Sequence, residues 1–302
     1  MRKLFSVCIQ IVVLSLLAGC SVKQLAMNKV GDALSGSGTV FAGDEDPELI
    51  KDALPFSLKL MESILAETPK HEGLLLQLCS GFTQYSYGFV QLEADIIEDD
   101  DYELAEELRE RAAKLYLRAN RYGIRGLEVR YPGFGDMLKD DLDGAVALLE
   151  VDDVELAYWT ALSWVGGVSL SLDNPALVGN LQIVEKIMDR CLELDPEFDD
   201  GSLHGFFITY SMSRLTGEGD PIENATKHYL EAKRLSGGLL ASVNVAYAES
   251  VALEKQDRDL FVKLLEEALA IDVNAKQEWR LNNLLYQDRA KWLLDRVDDL
   301  IF

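Results

Sequence analysis

The sequence predicts an all-α fold, and three observations predict it. From Asp46 onward apolar residues recur at helical spacing, and nowhere do Val, Ile and Thr alternate with polar residues long enough for a strand. Turn signals interrupt the pattern at "AETPKHEG", "RYPGFGD", "SLDNPAL", "ELDPEFDDG", "TGEGDPIEN" and "RLSGGLL". Between these turns one local motif returns again and again.

That motif is a triplet at i, i+4 and i+7 that ends shortly before a turn. In "VEKIMDRCLELDP" it is Val184, Met188 and Cys191, with Pro196 just beyond the helix end. It returns as Ser57, Met61 and Ile64 before Pro69, and as Ala112, Tyr116 and Ala119. Two more copies are Ala225, Tyr229 and Ala232 before Gly237, and Phe261, Leu265 and Ala268 before Val273. Small, bulky, small, then turn is the pattern of the second helix of a tetratricopeptide hairpin. The fold expected is therefore a tetratricopeptide-like superhelix of about five hairpins. The segment "RLNNLLYQDRAKWLLDRVDDLIF", with Leu281, Leu285 and Trp292, supplies a C-terminal capping helix. The triplets end at 64, 119, 191, 232 and 268, uneven against the roughly 34 residues of an ideal repeat. Extra loops or helices are expected around "EADIIEDDDYE" and "YPGFGDMLKDDLDGAVALLEVDD".

The amino-terminal segment reads differently. Residues 1–19 carry Arg2 and Lys3, a short apolar run and then Leu17-Ala18-Gly19 before Cys20, the layout of a cleaved signal. The run is too short to span a bilayer comfortably. Leu-Ala-Gly-Cys resembles the lipoprotein processing box, so Cys20 is expected to carry a covalent lipid anchor, with no other cofactor. With Ser21 next rather than Asp, the expected place is the periplasmic side of an outer membrane. Residues 20–45, rich in Gly and Ser around "GDALSGSGTVFAGDED", read as a flexible tether, in which Leu25, Ala26, Val30, Ala33 and Leu34 can form an amphipathic turn or two. Residues 46–302 form the helical domain.

A formal net charge of −23 argues against nucleic acid as a partner, because such a surface repels phosphate backbones. No HExxH, Cys/His metal pattern, phosphate loop or GxSxG turn occurs, so neither a catalytic residue nor a metal ligand is assigned, and the chain is read as non-enzymatic. "KDDLDGAVALLE" approaches a calcium-loop spacing through Asp141, Asp143, Gly144 and Glu150, but Lys139 stands where the first ligand belongs. Asp143 is better read as the cap of a helix starting near Ala145. Cys191 stands where other triplets have Ala, and Cys79 shares a stripe with Leu75, Leu78 and Phe82. Both cysteines are expected as small buried hydrophobes, unpaired because their hairpins are far apart in sequence.

Aromatic residues crowd the expected first helices, which line the concave face of such a superhelix. Phe82, Tyr85, Tyr158, Trp159, Trp164, Phe206, Phe207, Tyr210 and Tyr247 are the candidates for one apolar, ligand-binding groove, with Asn244, Glu249 and Arg280 as polar contacts. The bland alternative for each ring is ordinary core.

Over residues 40–302 the chain resembles the TatT component family of tripartite ATP-independent periplasmic (TRAP) transporters. The resemblance rests on "AGDEDPELIKDALPFSLKLMESILAETPKHEGLLL", "YLRANRYGIRGLEVRYPGF", "AYWTALSWVGGVSLSLDNP", "LELDPEFDDGSLHGFF", "LSGGLLASVNVAYAE" and "WRLNNLLYQDRAKWLL", in order. It implies a periplasmic lipoprotein that forms a homo-oligomer such as a trimer. It also implies an apolar channel, a periplasmic substrate-binding protein as partner, and a hydrophobic or amphipathic organic acid as ligand. The rival expectation is a tetratricopeptide adaptor lipoprotein for envelope assembly, binding extended peptides and no small molecule.

Overall fold

A computed structural model describes residues 23–36, 38–214 and 219–302, so the expected signal segment and Cys20 lie outside the described residues. All regular structure among the described residues is helical, and no helix there is long and apolar enough to cross a membrane. Several helices start on a capping carboxylate. Asp46, Asp101, Asp220 and Asp257 each accept a hydrogen bond from the backbone N–H three residues on, and Pro47 and Pro221 preset the first turn behind two of them.

Five helices form an outer row: α3 (Pro47–Glu67), α6 (Tyr102–Arg130), α11 (Leu181–Leu194), α13 (Pro221–Leu235) and α15 (Arg258–Leu269). Five form an inner row: α4 (Glu72–Tyr85), α9 (Val154–Ser169), α12 (Phe198–Ser213), α14 (Ala241–Tyr247) and α16 (Arg280–Asp295). Along the inner row each helix touches the next, and the outer helices pack in the grooves between them. The triplets supply the packing face. Ala112, Tyr116 and Ala119, Val184, Met188 and Cys191, Ala225, Tyr229 and Ala232, and Phe261, Leu265 and Ala268 are all buried. In α3 the stripe is turned by one residue: Leu58 is buried with Met61 and Ile64, and Ser57 is half-buried.

Cys79 and Cys191 are free thiols inside these contacts. Cys79 lies where α4, α6 and α9 meet. A Cβ added to Gly123 would lie 2.9 Å from its sulfur and 2.2 Å from Thr160 Oγ1. Burial pushes both thiols up to about 12, so neither is a nucleophile at neutral pH.

The last inner helix returns to the amino-terminal helices. Helix α16 does more than cap the last hairpin, because it returns to α2 (Gly38–Ala42) and α3. All five inner helices start at one end. Arg130, at the end of α6, binds Glu72 at the start of α4 and Asp153 at the start of α9. Asp199 acts electrostatically on Glu155 in the first turn of α9. Lys276, just before α16, pairs with Asp200 in α12, and Asn283 in α16 bonds the backbone of Leu239 and Ala241 at the start of α14. The turn into α12 is strained: Asp199, Asp200 and Gly201 are consecutive left-handed residues with φ of 46°, 52° and 101°. Gly201 is required there, since a Cβ would lie 3.1 Å from Ala232 Cα on α13.

Two local expectations change. The expected tether is helical over residues 23–35 (α1) and 38–42, and α1 lies against the α3–α4 turn. Its Asn28 carbonyl accepts from His71 Nε2 at 3.2 Å, Lys23 pairs with Glu67 at 2.7 Å, and Leu34 packs inward. The Gly and Ser residues that suggested slack serve close approach instead, with Gly31 against the His71 ring and Gly73 against Ser35. At the calcium-like stretch, Asp141 rather than Asp143 caps the helix Leu142–Ala147, and Asp143 pairs with Lys186 at 2.8 Å.

Candidate functional site at the closing seam

The expected ligand aromatics separate into different interiors. Phe82 stacks on Tyr122 of α6 under the Arg118 guanidinium, and Tyr85 is buried beside Phe89 and bonded by Arg111. Phe207 stacks on His228 and Tyr247 on Tyr229, both of α13, while Tyr158 packs against Phe198. Tyr210, also buried, bonds Glu185. These rings hold helix to helix and do not converge on one groove. Trp159, Trp164 and Phe206 are half-buried and keep part of their surface accessible. Asn244 is buried, accepting the Tyr229 hydroxyl at 3.0 Å, and Arg280 donates to the Gly43 carbonyl at 2.9 Å. Of the polar candidates, Glu249 alone belongs to a cluster of charged groups.

That cluster sits where α16 meets the amino-terminal helices. Arg289 of α16 reaches Glu249 Oε1 at 2.8 Å and Asp95 Oδ2 at 3.3 Å. Asp95 comes from α5 (Leu92–Ile97). Tyr87 and Tyr286 face each other across the seam at 5.9 Å between ring centroids, with Leu285 against Gly88. Tyr116 donates to Gln91 at 2.8 Å. Residues distant in sequence thus converge here on one guanidinium.

Two backbone irregularities bring them there. Helix α4 runs into a π-helical turn at Ser86–Gln91, and α14 into another at Ala248–Ala252. Each wide turn rotates the following residues about the helix axis, and such turns are frequent at functional sites. Tyr87 and Gln91 lie on the first and Glu249 on the second. Nothing in "SYGFVQ" or "AESVA" distinguishes them from ordinary helix. The one legible sign is a run of polar residues on the inner stripe.

The electrostatics are tense. Burial raises the carboxyl pKa of both Asp95 and Glu249, and Arg289 only partly offsets this. Burial also works against the Arg289 charge, but the two carboxylates outweigh it and its pKa is raised. Arg289 is 12% exposed, against 25% for Asp95 and 27% for Glu249, so solvent reaches the acids more than the base. Arg289 Nη1 is close to Asp95 without the alignment of a hydrogen bond, and it has no hydrogen-bond partner in the protein. Arg280 Nε and Arg296 Nε, on the same side of the molecule, are likewise buried without a partner. Arg190 Nε on α11 is a fourth such atom, away from the seam, and an unmet buried donor costs about 1–3 kcal/mol. Beside Glu249, Ser250, Leu253 and Leu300 line an open recess that also carries Glu254 and Asp299, an acidic lining unlike the expected apolar groove.

Comparison with known proteins bears out the family resemblance. An uncharacterized protein of Treponema pallidum (strain Nichols) is 28% identical over 304 residues, covering 94% of each chain. The family model described as TRAP transporter T-component matches residues 43–301, taking in both rows of helices and the seam, and the chain belongs to that family.

Proposed function

We propose that this T-component is a tetratricopeptide-like superhelix that binds an amphipathic organic acid along its inner row and works beside a periplasmic substrate-binding protein, held to the outer membrane by lipid on Cys20. The ligand's apolar body lies over the accessible surface of Trp159, Phe206 and Leu285, and its carboxylate is received by Arg289. The observation that carries this reading is the Arg289 guanidinium, enclosed by two strained acids and two tyrosines, with one N–H still unmet. A ligand carboxylate takes the place of Asp95 on Nη1, and Asp95 then accepts a proton from solvent, which its raised pKa favours.

Titration with fatty acids and aromatic carboxylates, followed by tryptophan emission, tests the reading. Arg289→Gln should weaken binding about 10-fold or more, the scale of one charged hydrogen bond. Because binding takes up a proton, affinity should rise as pH falls from 7.5 towards 5.5. Crosslinking in a periplasmic extract should capture a substrate-binding protein. A flat titration together with tight binding of extended peptides would replace this reading with the adaptor.

A further inference from the structure

We infer that the end of the molecule where the inner helices begin is seated directly against the lipid bilayer. This rests on the reading of Cys20 as the lipid-bearing residue. Only two residues separate Cys20 from Lys23, where α1 begins. Extended chain spans at most about 3.3–3.6 Å per residue, so the anchor lies within roughly 11 Å of a residue fixed to the body.

The fixing is specific. Lys23 pairs with Glu67, the Asn28 carbonyl meets His71, Gly31 is buried against the His71 ring, and Gly43 receives Arg280. A tether of 26 residues would let the body stand off, but one that is helical and packed from its fourth residue gives no such slack. The first turn of α1 lies over the α3–α4 turn, at the end of the molecule where Glu72, Asp153, Asp199 and Lys276 cluster.

The outer face of α1 suits lipid. Leu25 is 61% exposed and Val30 45%, Ala26 and Ala33 are exposed beside them, the exposed Lys29–Asp32 pair shares this face, and Lys23 and Lys70 border it. A short exposed apolar face carrying lysines suits contact with the headgroup region. The rest of this end is rich in acids, so attraction to anionic lipid does not hold it there. The acyl chains and the Leu25–Val30 stripe do. The opposite end, with Glu254, Arg296 and Asp99, is left facing the aqueous side, where a soluble partner can reach it.

The test uses the full-length acylated protein in phosphatidylcholine vesicles that contain bromine-labelled lipid. Single fluorophores are placed through Leu25→Cys, Lys70→Cys and Glu254→Cys, the native thiols being buried. Strong quenching at positions 25 and 70 and none at 254 is expected, and a 20-residue Gly/Ser insertion after Ser21 should abolish it. Mass spectrometry of the same sample reads acylation separately. An unmodified Cys20 overturns both the anchor and the seating. An acylated protein with equal, weak quenching at all three positions overturns the seating alone.

Discussion

The junction of α4, α6 and α9 and the seam between α16 and the amino-terminal helices join the same kinds of element by opposite means. At the junction Gly123, Cys79 and Thr160 allow backbones to approach until there is no room for a methyl group, and the Thr160 hydroxyl is satisfied by the Leu156 carbonyl. At the seam Arg280, Arg289 and Arg296 span the gap, each with a buried N–H unmet, and Trp292 lies between two guanidiniums at 4.4 and 4.7 Å. The junction is optimised for one arrangement. The seam is held by charge, which water or a ligand can replace.

The sharpest way to break this contrast is to overfill the junction. Gly123→Val should cost about 3 kcal/mol or more in urea denaturation, with little dependence on pH, because it forces apart packed backbone. At the seam, Arg289→Gln should cost about 2 kcal/mol at pH 7, since it leaves two acids facing each other. That loss should shrink by pH 5. Both acids have raised pKa values, so they protonate early and their repulsion disappears. A pH-independent loss would show that Arg289 is a packing residue.

The core has its own titration, with the opposite physical origin. His204 and His228 share a 2.9 Å Nδ1–Nδ1 hydrogen bond between α12 and α13, which needs one neutral acceptor ring. Burial, then the neighbouring His204, lowers His228 to about 4. Between its ordinary value near 6.5 and that value the unfolded chain binds the extra proton, so stability falls as pH falls through this window. A loss of about 1–2 kcal/mol from pH 7 to 5 is expected by thermal melting, and His228→Gln should flatten it. The smallest effect is that of salt. Raising it from 0.05 to 0.5 M should loosen exposed pairs such as Arg296–Asp99 by a few tenths of a kcal/mol. Amide exchange in α16 should then quicken while α9 is unchanged.

These regions also differ in how far they were legible in the sequence. The outer-row triplets were readable because close helix contact demands small residues at fixed spacing, and Ala119, Ala232 and Cys191 meet that demand in the same way. The ligand aromatics were not. A ring such as Phe82 or Tyr247 announces apolar area but not which neighbour covers it, and here outer-row helices cover both. The seam was legible only in part. Glu249 and Arg280 were picked out as polar contacts, but Arg289 and Asp95 look like solvated charges, and only the π-turns and the return of α16 bring them to Glu249. In residues 23–35 glycine and serine suggested looseness where they allow close packing.

The return of α16 carries one last consequence. A stack with two free ends can gain or lose a repeating unit with little penalty beyond that unit's own contacts. Here the last inner helix must arrive in register with Gly43, Asp95 and Asp99, so adding or removing one hairpin would swing its arginines away from every one of them. The two ends of the inner row are therefore coupled through α16, and a change in the number of helices between them would break the contacts that join them.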